Sequence, residues 1–166
     1  MIAVSFGVDF LIRKLSRRHN GHSRRWRAAK RLRKKIISAN MSPTAMISYL
    51  RKIDPYTFEE LVLLSFKKAG YRIYRNRRYS RDGGIDGRIR KKGKTWLIQC
   101  KRYSKAISPA HVADLRRICI SRRVSGVFVH TGRTGGTSRT AAYGDVTFVS
   151  GTNLWRLIVL AEDVLC

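Results

Sequence analysis

A turn bracketed by glycines, "DGGIDGRIR", precedes the strand-like segment "TWLIQCK" in this chain. If the second segment alternates as a strand, Gln99 and Lys101 emerge on one face. If "IDGRIR" pairs with it as the preceding strand of a hairpin, Asp86 projects from the same face near the end of the sheet. Gly84 and Gly87 remove side-chain bulk around that position. We therefore expect a carboxylate, an amide and an amine to converge.

This set of groups suits the hydrolysis of a phosphodiester. That reaction needs a hard cation held by oxygen ligands, a nucleophilic water beside it and a positive group near the developing charge. The candidate ligands for Mg²⁺ or Mn²⁺ are the Asp86 carboxylate, the Gln99 side-chain oxygen and the backbone carbonyl of Cys100. Lys101 is the candidate for orienting water or stabilising the charge on phosphorus. Asp82, in the same turn, is more typical of a turn former than of a second ligand.

The overall charge indicates a polyanionic partner. The chain has 36 Lys and Arg against 10 Asp and Glu, a formal net charge of +26. At this charge density the protein attracts polyanions over a Debye length or more, so nucleic acid is the first candidate partner and an anionic membrane surface the second. The apolar N-terminal stretch is too short to span a bilayer and is interrupted by Asp9. We therefore expect no membrane association.

Two further patterns bear on location. The three cysteines show no Cys-x-x-Cys spacing, so neither a disulfide framework nor a structural zinc is indicated, and a reducing compartment fits best. The N-terminus lacks the basic region and cleavage site of a secretory signal. We expect a cytoplasmic protein. A mitochondrial location is the alternative, because the stretch to Lys35 is Arg-rich and nearly free of acids, as transit peptides are.

The basic residues are concentrated near the N-terminus. Residues 13–35 contain twelve Lys and Arg and no acid. Trp26, Ala29, Leu32 and Ile36 recur at spacings of three and four, which predicts a basic amphipathic helix with Ser23 as its cap. The simpler interpretation is a solvated helix that packs through a thin apolar stripe and has no binding role. We favour a phosphate-gripping arm, because so many like charges repel one another unless they are neutralised.

The contrast in charge predicts two domains, a basic helical arm over residues 1–40 and a second domain over residues 41–166. The arm supplies most of the candidate contacts to nucleic-acid phosphates: Arg24, Arg25, Arg27, Lys30, Arg31 and Lys34.

The second domain alternates between helical and strand periodicity. Its strongest helix signal is "DPYTFEELVLLSFKKAG", in which Asp54 is the cap, Pro55 lies in the first turn and Gly70 ends the helix. There follow a strand, the hairpin, a helix, a buried strand, a glycine-rich turn with a brief helix, another strand and a closing helix capped by Thr152. This order, α-βββ-α-β-(α)-β-α, predicts an α/β fold with a central mixed β-sheet flanked by helices.

The glycine-rich turn "GRTGGTS" lacks the Gly-Lys-Ser/Thr ending of a nucleotide-binding loop. It is an ordinary turn or, because its amides start a helix near Arg133 and Arg139, a site for a DNA phosphate. Arg102, next to Lys101, is a further candidate DNA contact. His130 ends a buried strand and is expected to be structural rather than a general base.

Three segments together, "FEELVLLSFKKAGY", "RDGGIDG" and "LIQCKRY", resemble the Mrr-type branch of restriction endonucleases in the PD-(D/E)xK nuclease superfamily. The resemblance covers roughly residues 47–160 and implies a restriction-endonuclease-like fold, with residues 1–40 as a basic helical extension. It puts the family's metal-binding aspartate on Asp86 and the (D/E)xK element on Gln99 and Lys101. The acidic residue of the first core helix falls on Glu59, with Glu60 as the alternative.

The resemblance implies a Mg²⁺- or Mn²⁺-dependent DNA endonuclease of a restriction or DNA-processing kind, and a homodimer if both strands are cut. Glutamine replaces the acid of the general superfamily pattern at residue 99, as is also typical of the Mrr-type branch, and this removes one negative ligand. The alternative function is a catalytically inactive nuclease-fold module that binds nucleic acid within a larger complex. A basic structural protein of a ribonucleoprotein would explain the charge but not the placement of the Asp86 and Gln99 segments.

Overall fold

The computed structural model describes residues 22–75 and 84–165 of the chain. Its five strands are β1 Arg72–Arg75, β2 Gly87–Lys91, β3 Lys94–Lys101, β4 Ser125–His130 and β5 Val146–Val149. They form one sheet in the order β1-β2-β3-β4-β5, in which β1, β2 and β3 pair antiparallel and β3, β4 and β5 pair parallel. The predicted α/β fold with a mixed central sheet is confirmed.

Helices pack on both sides of this sheet. They are α1 over residues 22–38, α2 Pro43–Leu50, α3 Pro55–Lys68, α4 Pro109–Arg122, α5 Gly136–Ala142 and α6 Gly151–Trp155, which continues as a π-helical turn over Arg156–Leu160. Within the two described ranges, none of these helices has the length and apolar character needed to cross a membrane.

Two predicted helix caps are wrong. Ser23 lies inside α1, which already includes residue 22, because His22 is held in the helix by its contact with Glu60, 3.0 Å away. Thr152 lies inside α6, whose cap position is Ser150. The helix starts early there because Gly151 has a φ of +51°, a conformation that allows an abrupt entry from the preceding strand.

The helix that carries the strongest sequence signal forms as predicted. Asp54 caps α3, with its Oδ2 accepting hydrogen bonds from the Thr57 backbone N at 2.8 Å and the Thr57 hydroxyl at 2.9 Å. Phe58, Leu61 and Ser65 on the predicted face are buried. The burial extends beyond this face, because Leu63, Leu64 and Phe66 are buried as well, and this packing fixes where the first turn of α3 lies.

The sheet separates two apolar cores, and alternation along β3 assigns its side chains to them. Trp96, Ile98 and Cys100 join the core formed with α1, α2, α3 and α6. Leu97 joins the core formed with α4 and α5. Gln99 and Lys101 share the Leu97 face by the same period of two.

The basic helix α1 is packed onto the first of these cores. Ala29, Leu32 and Ile36 are buried in it, as their spacing predicted. The helix is also tied to the π-helical turn, because the Arg33 guanidinium donates hydrogen bonds to the carbonyls of Ile158 at 2.7 Å and Val159 at 3.1 Å. The division of the chain into an arm and a second domain at residue 40 stays a prediction.

Candidate functional site

The β2–β3 hairpin positions Asp86. Its two-residue turn, Lys92 and Gly93, has positive φ at both positions, which matches the twist of the flanking strands. The register pairs Gly87 with Ile98, so Asp86 lies opposite Gln99. The backbone N of Asp86 donates to the Ile98 carbonyl at 2.8 Å, and its Oδ2 accepts from the Cys100 backbone N at 2.6 Å. The carboxyl is therefore fixed beside the C-terminal half of β3.

Gln99 is buried against the glycine turn that precedes Asp86. The residue is only 3% exposed to solvent. Gly84 makes this possible: it has a φ of +80°, and a Cβ there would lie 2.5 Å from the Gln99 Nε2. The Gln99 Oε1 is buried, and no residue within the described ranges forms a hydrogen bond with it. Leaving such an oxygen unpaired costs about 1–3 kcal/mol, so this position favours an occupant that oxygen can bind.

The unpartnered oxygen fits a divalent cation. Mg²⁺ and Ca²⁺ are hard cations that take carboxylate, amide and backbone carbonyl oxygens. Asp86, Gln99 and the backbone of Cys100 carry one of each. Among the residues that the structure describes, no group of three or more His, Cys, Asp or Glu could hold a metal ion. A cation at this position would therefore depend on the amide and carbonyl oxygens as well as on carboxylates.

Helix α3 adds Glu59 to this group. Burial, and after it the nearby Asp86 carboxylate, raises the pKa of Glu59 to about 8, against the opposing effect of Lys101. Burial also raises the pKa of Asp86 to about 6, and here the Cys100 amide and Lys101 oppose it. The structure thus brings together the four residues predicted as catalytic, with two carboxyl groups and one ammonium within electrostatic range of one another.

Glu60 points into a different environment. It is 2% exposed, and its carboxylate accepts hydrogen bonds from the Arg75 Nε at 2.9 and 3.2 Å. The His22 Nδ1 lies 3.0 Å from its Oε1. Glu59 rather than Glu60 therefore faces Asp86. Sequence reasoning missed these partners of Glu60, because His22 is 38 residues away and no local pattern connects them.

The Cys100 side chain takes no part in the site. Its thiol is buried in the core on the α3 side of the sheet, and burial raises its pKa well above the ordinary value. Cys119 is also a buried free thiol. The backbone N of Cys100 contacts the Asp86 carboxyl, and the role of the Cys100 carbonyl as a ligand stays a prediction.

The predicted DNA contacts differ in their surroundings. On α1 the exposed ones are Arg24, Arg27, Lys30, Arg31 and Lys34. Arg25 is half-buried, with its guanidinium carbon 4.3 Å from the centroid of the Tyr56 ring. Arg102 donates a hydrogen bond to the Arg51 carbonyl at 3.0 Å. Arg133 and Arg139 are exposed, at the turn before α5 and within it. Asp82 lies outside the described residues.

His130 is fully buried at the end of β4, paired in register with Lys101 on β3. Its Nε2 lies 3.0 Å from the Thr134 hydroxyl, whereas its Nδ1 forms no hydrogen bond with the part of the chain that the structure describes. Burial lowers the pKa of His130 to about 4, so the ring is neutral near pH 7. This environment is that of a structural histidine rather than of a base in contact with solvent.

Comparison with known protein families finds a match over most of the described chain. The family model Mrr_cat, described as a restriction endonuclease, matches residues 50–158. The search of curated proteins and the search of solved structures each found no match. The matched range contains all five strands and all four converging residues, and it leaves α1 outside.

Proposed function

The chain belongs to the Mrr-type restriction endonuclease family, and on that premise we propose that it is a Mg²⁺-dependent DNA endonuclease, with Mn²⁺ as the alternative cation. Family members generally use divalent metal ions. The observation that supports the proposal most is the buried, unpartnered Gln99 Oε1 directly across the hairpin from the Asp86 carboxyl. In a purely structural hairpin, a buried amide oxygen without a hydrogen bond would only lower stability.

Each converging residue has a role in this proposal. Asp86, the Gln99 Oε1 and the Cys100 carbonyl would hold the cation, and Glu59 would supply a further carboxylate. A bound divalent cation supplies Lewis acidity, which lowers the pKa of water and neutralises phosphate charge. Lys101 orients the attacking water and stabilises the charge that develops on the phosphoryl oxygens.

The amide at residue 99 affects how the cation is held. Glutamine contributes an oxygen but no charge, so the site has one negative ligand fewer than one with an acid there. Affinity for hard cations rises with the number of charged ligands. We therefore expect weak metal binding by the free protein, and stronger binding once a DNA phosphate contributes its own oxygen.

Plasmid cleavage tests the proposal. With Mg²⁺ or Mn²⁺, the wild-type chain should convert supercoiled DNA to nicked or linear forms. Asp86→Ala and Lys101→Ala should cut at least about 100-fold more slowly, the size of effect seen when one charge-stabilising group is removed. Lys101→Ala should keep its affinity for DNA. Lys94→Ala, at the exposed start of the same strand, is the matched control and should cut at the wild-type rate.

The same assay separates the alternative function. A catalytically inactive nuclease-fold module that binds nucleic acid within a larger complex is favoured by one observation, the glutamine in place of an acid at residue 99. Such a module would bind DNA in a mobility-shift assay yet leave plasmid intact under both cations. Equal cutting by wild type, Asp86→Ala and Lys101→Ala would also remove the enzymatic proposal, since the cutting would then come from a contaminant.

Assembly and location are part of this proposal. With one site per chain, cutting both strands of a duplex requires two copies, so we expect a homodimer on DNA in the cytoplasm. Sedimentation with a short duplex should show two chains per DNA. One chain per DNA, together with products that are only nicked, would contradict the dimer.

A further inference from the structure

The start of helix α1 is held against the start of α3 by specific contacts. The His22 Nδ1 lies 3.0 Å from the buried Glu60 Oε1, and Arg75 pairs with the same carboxylate at 2.9 Å. The Arg75 guanidinium also lies 4.3 Å from the centroid of the Trp26 ring. A helix that only covered the core with an apolar stripe would not need this cluster of buried polar contacts at one end.

These contacts put Arg25 at the candidate site. Its guanidinium carbon lies 4.3 Å from the centroid of the Tyr56 ring, in the first turn of α3. Tyr56 and Glu59 are three residues apart on a helix and so are neighbours on its surface. Arg25 therefore lies next to the helical turn that carries Glu59. Arg24 and Arg27, by contrast, are exposed on the same turn of α1.

Arginine stacked on an aromatic ring suits a particular kind of ligand. The guanidinium is planar, presents donors in a rigid fork that matches phosphate oxygens, and loses less freedom on binding when it is already ordered. The Tyr56 ring supplies that order here. The Asp86 carboxylate would repel a DNA phosphate, and the positive charge of Arg25, one helical turn from Glu59, would offset that repulsion.

We propose that Arg25, stacked on Tyr56, is a phosphate-binding residue of the active site, which holds a DNA phosphodiester in position for cleavage. This inference rests on the proposed nuclease function. It makes α1, which lies outside the range matched by the family model, a part of the catalytic unit. The other basic residues of α1 supply general grip, whereas Arg25 positions the strand that is cut.

The test is single-turnover cleavage with protein in excess over DNA, which separates binding from the rate of the bound complex. Arg25→Ala should lower the cleavage rate at saturating protein by about 10- to 100-fold, near the lower end of the effect of removing a charge-stabilising donor. Arg117→Ala, which removes one positive charge from the exposed surface of α4, is the matched control. It should leave the saturated rate unchanged. Arg25→Lys, which keeps the charge but loses the fork, should fall between Arg25→Ala and wild type.

A second pair of variants tests the stack without touching the arginine. Tyr56→Phe keeps the ring and should keep the saturated rate, whereas Tyr56→Leu should lower it toward that of Arg25→Ala. This pair decides the matter even if Arg25→Ala fails to fold.

The outcomes distinguish a failure of the role of Arg25 from a failure of the nuclease function. If the wild type cuts, Asp86→Ala does not, and Arg25→Ala reaches the same saturated rate as the wild type and Arg117→Ala, the role of Arg25 is refuted and the nuclease function stands. If Tyr56→Leu and Tyr56→Phe cut equally fast, the stack does not matter and the role of Arg25 is likewise refuted. If the wild type itself does not cut, both proposals are overturned.

Discussion

At the scale of single residues, the site combines two carboxyl groups whose protons the fold retains. The pKa of Asp86 is about 6 and that of Glu59 about 8, mainly because both are buried. A folded protein that holds protons which the unfolded chain has lost becomes less stable as pH rises. The destabilising effect of these two groups therefore grows from about pH 4, where unfolded carboxyls lose their protons, to about pH 8.

This predicts a pH-dependent response to Mg²⁺. At pH 8 Asp86 is charged and Glu59 is charged about half of the time, so added Mg²⁺ should raise the melting temperature. At pH 5.5 both still hold protons for much of the time, so the rise should be clearly smaller. Differential scanning fluorimetry at both pH values measures it, with a Glu59→Gln, Asp86→Asn double variant as control, which should show no rise. Equal shifts at the two pH values would contradict the prediction.

Removal of the Gln99 amide is expected to raise stability and to weaken metal binding. Gln99→Leu removes the buried, unpartnered Oε1 while keeping a side chain of similar bulk. Because an unsatisfied buried polar atom costs about 1–3 kcal/mol, the variant should resist urea better than the wild type. It should also lose the stabilisation by Mg²⁺. Urea melts with and without Mg²⁺ measure both effects. A variant less stable than the wild type in the absence of metal would show that Oε1 is satisfied in the free protein.

The residues of the site could be predicted from sequence to the extent that they depend on local periodicity. The alternation along β3 was enough to place Gln99 and Lys101 on one face, and the hairpin register brings Asp86 opposite. The partners of Glu60 could not be predicted, because they come from distant parts of the chain. Tyr56 was within reach of sequence reasoning: it lies one helical turn before Glu59, but its importance depends on Arg25, which only tertiary packing brings there.

At the scale of helices and strands, features set by nearby residues could again be predicted more reliably than features set by distant ones. Helix α3 formed where its cap, proline and terminal glycine predicted, because those signals act within a few residues. The caps predicted for α1 and α6 were wrong, for a tertiary reason in α1 and a local backbone reason in α6. His22 extends α1 by its contact with Glu60, and the backbone at Gly151 starts α6 before Thr152.

The glycine turn before β2 gives a prediction at this scale. Gly84 and Gly93 have nearly the same φ, +80° and +78°, but a Cβ at residue 84 would lie 2.5 Å from the Gln99 Nε2, and one at residue 93 would meet no atom within 4 Å. Alanine at either position would have to adopt a strained backbone conformation, which costs about 1–3 kcal/mol of stability. Only Gly84→Ala must also displace Gln99.

The two variants should therefore separate fold from site. Chemical denaturation should show both to be destabilised, Gly84→Ala somewhat more. Plasmid cleavage by Gly93→Ala should stay near the wild-type rate, whereas Gly84→Ala should lose most of its cleavage and its stabilisation by Mg²⁺. Equal activity of the two variants would mean that the position of the Gln99 amide does not matter for function.

At the scale of the whole molecule, the charge of +26 is carried by a fold in which the most basic helix is also a core element. The apolar side of α1 joins the core with α3, and the same helix presents its exposed arginines and lysines to solvent. DNA bound along that surface would meet the candidate site at the α1–α3 junction. General affinity and placement of the substrate would then come from one helix.

Salt dependence measures how far α1 provides that affinity. If about six phosphates are neutralised, the logarithm of DNA affinity should fall with a slope of about −5 against the logarithm of salt concentration. The Arg24→Ala, Arg27→Ala double variant should reduce the slope by about 2, one unit for each lost phosphate contact. Arg117→Ala with Arg122→Ala removes the same charge from the exposed surface of α4 and is the control. Because long-range attraction alone is screened within about a Debye length, the control should weaken binding only slightly and keep the slope. Equal slopes for the two double variants would show that DNA does not lie along α1.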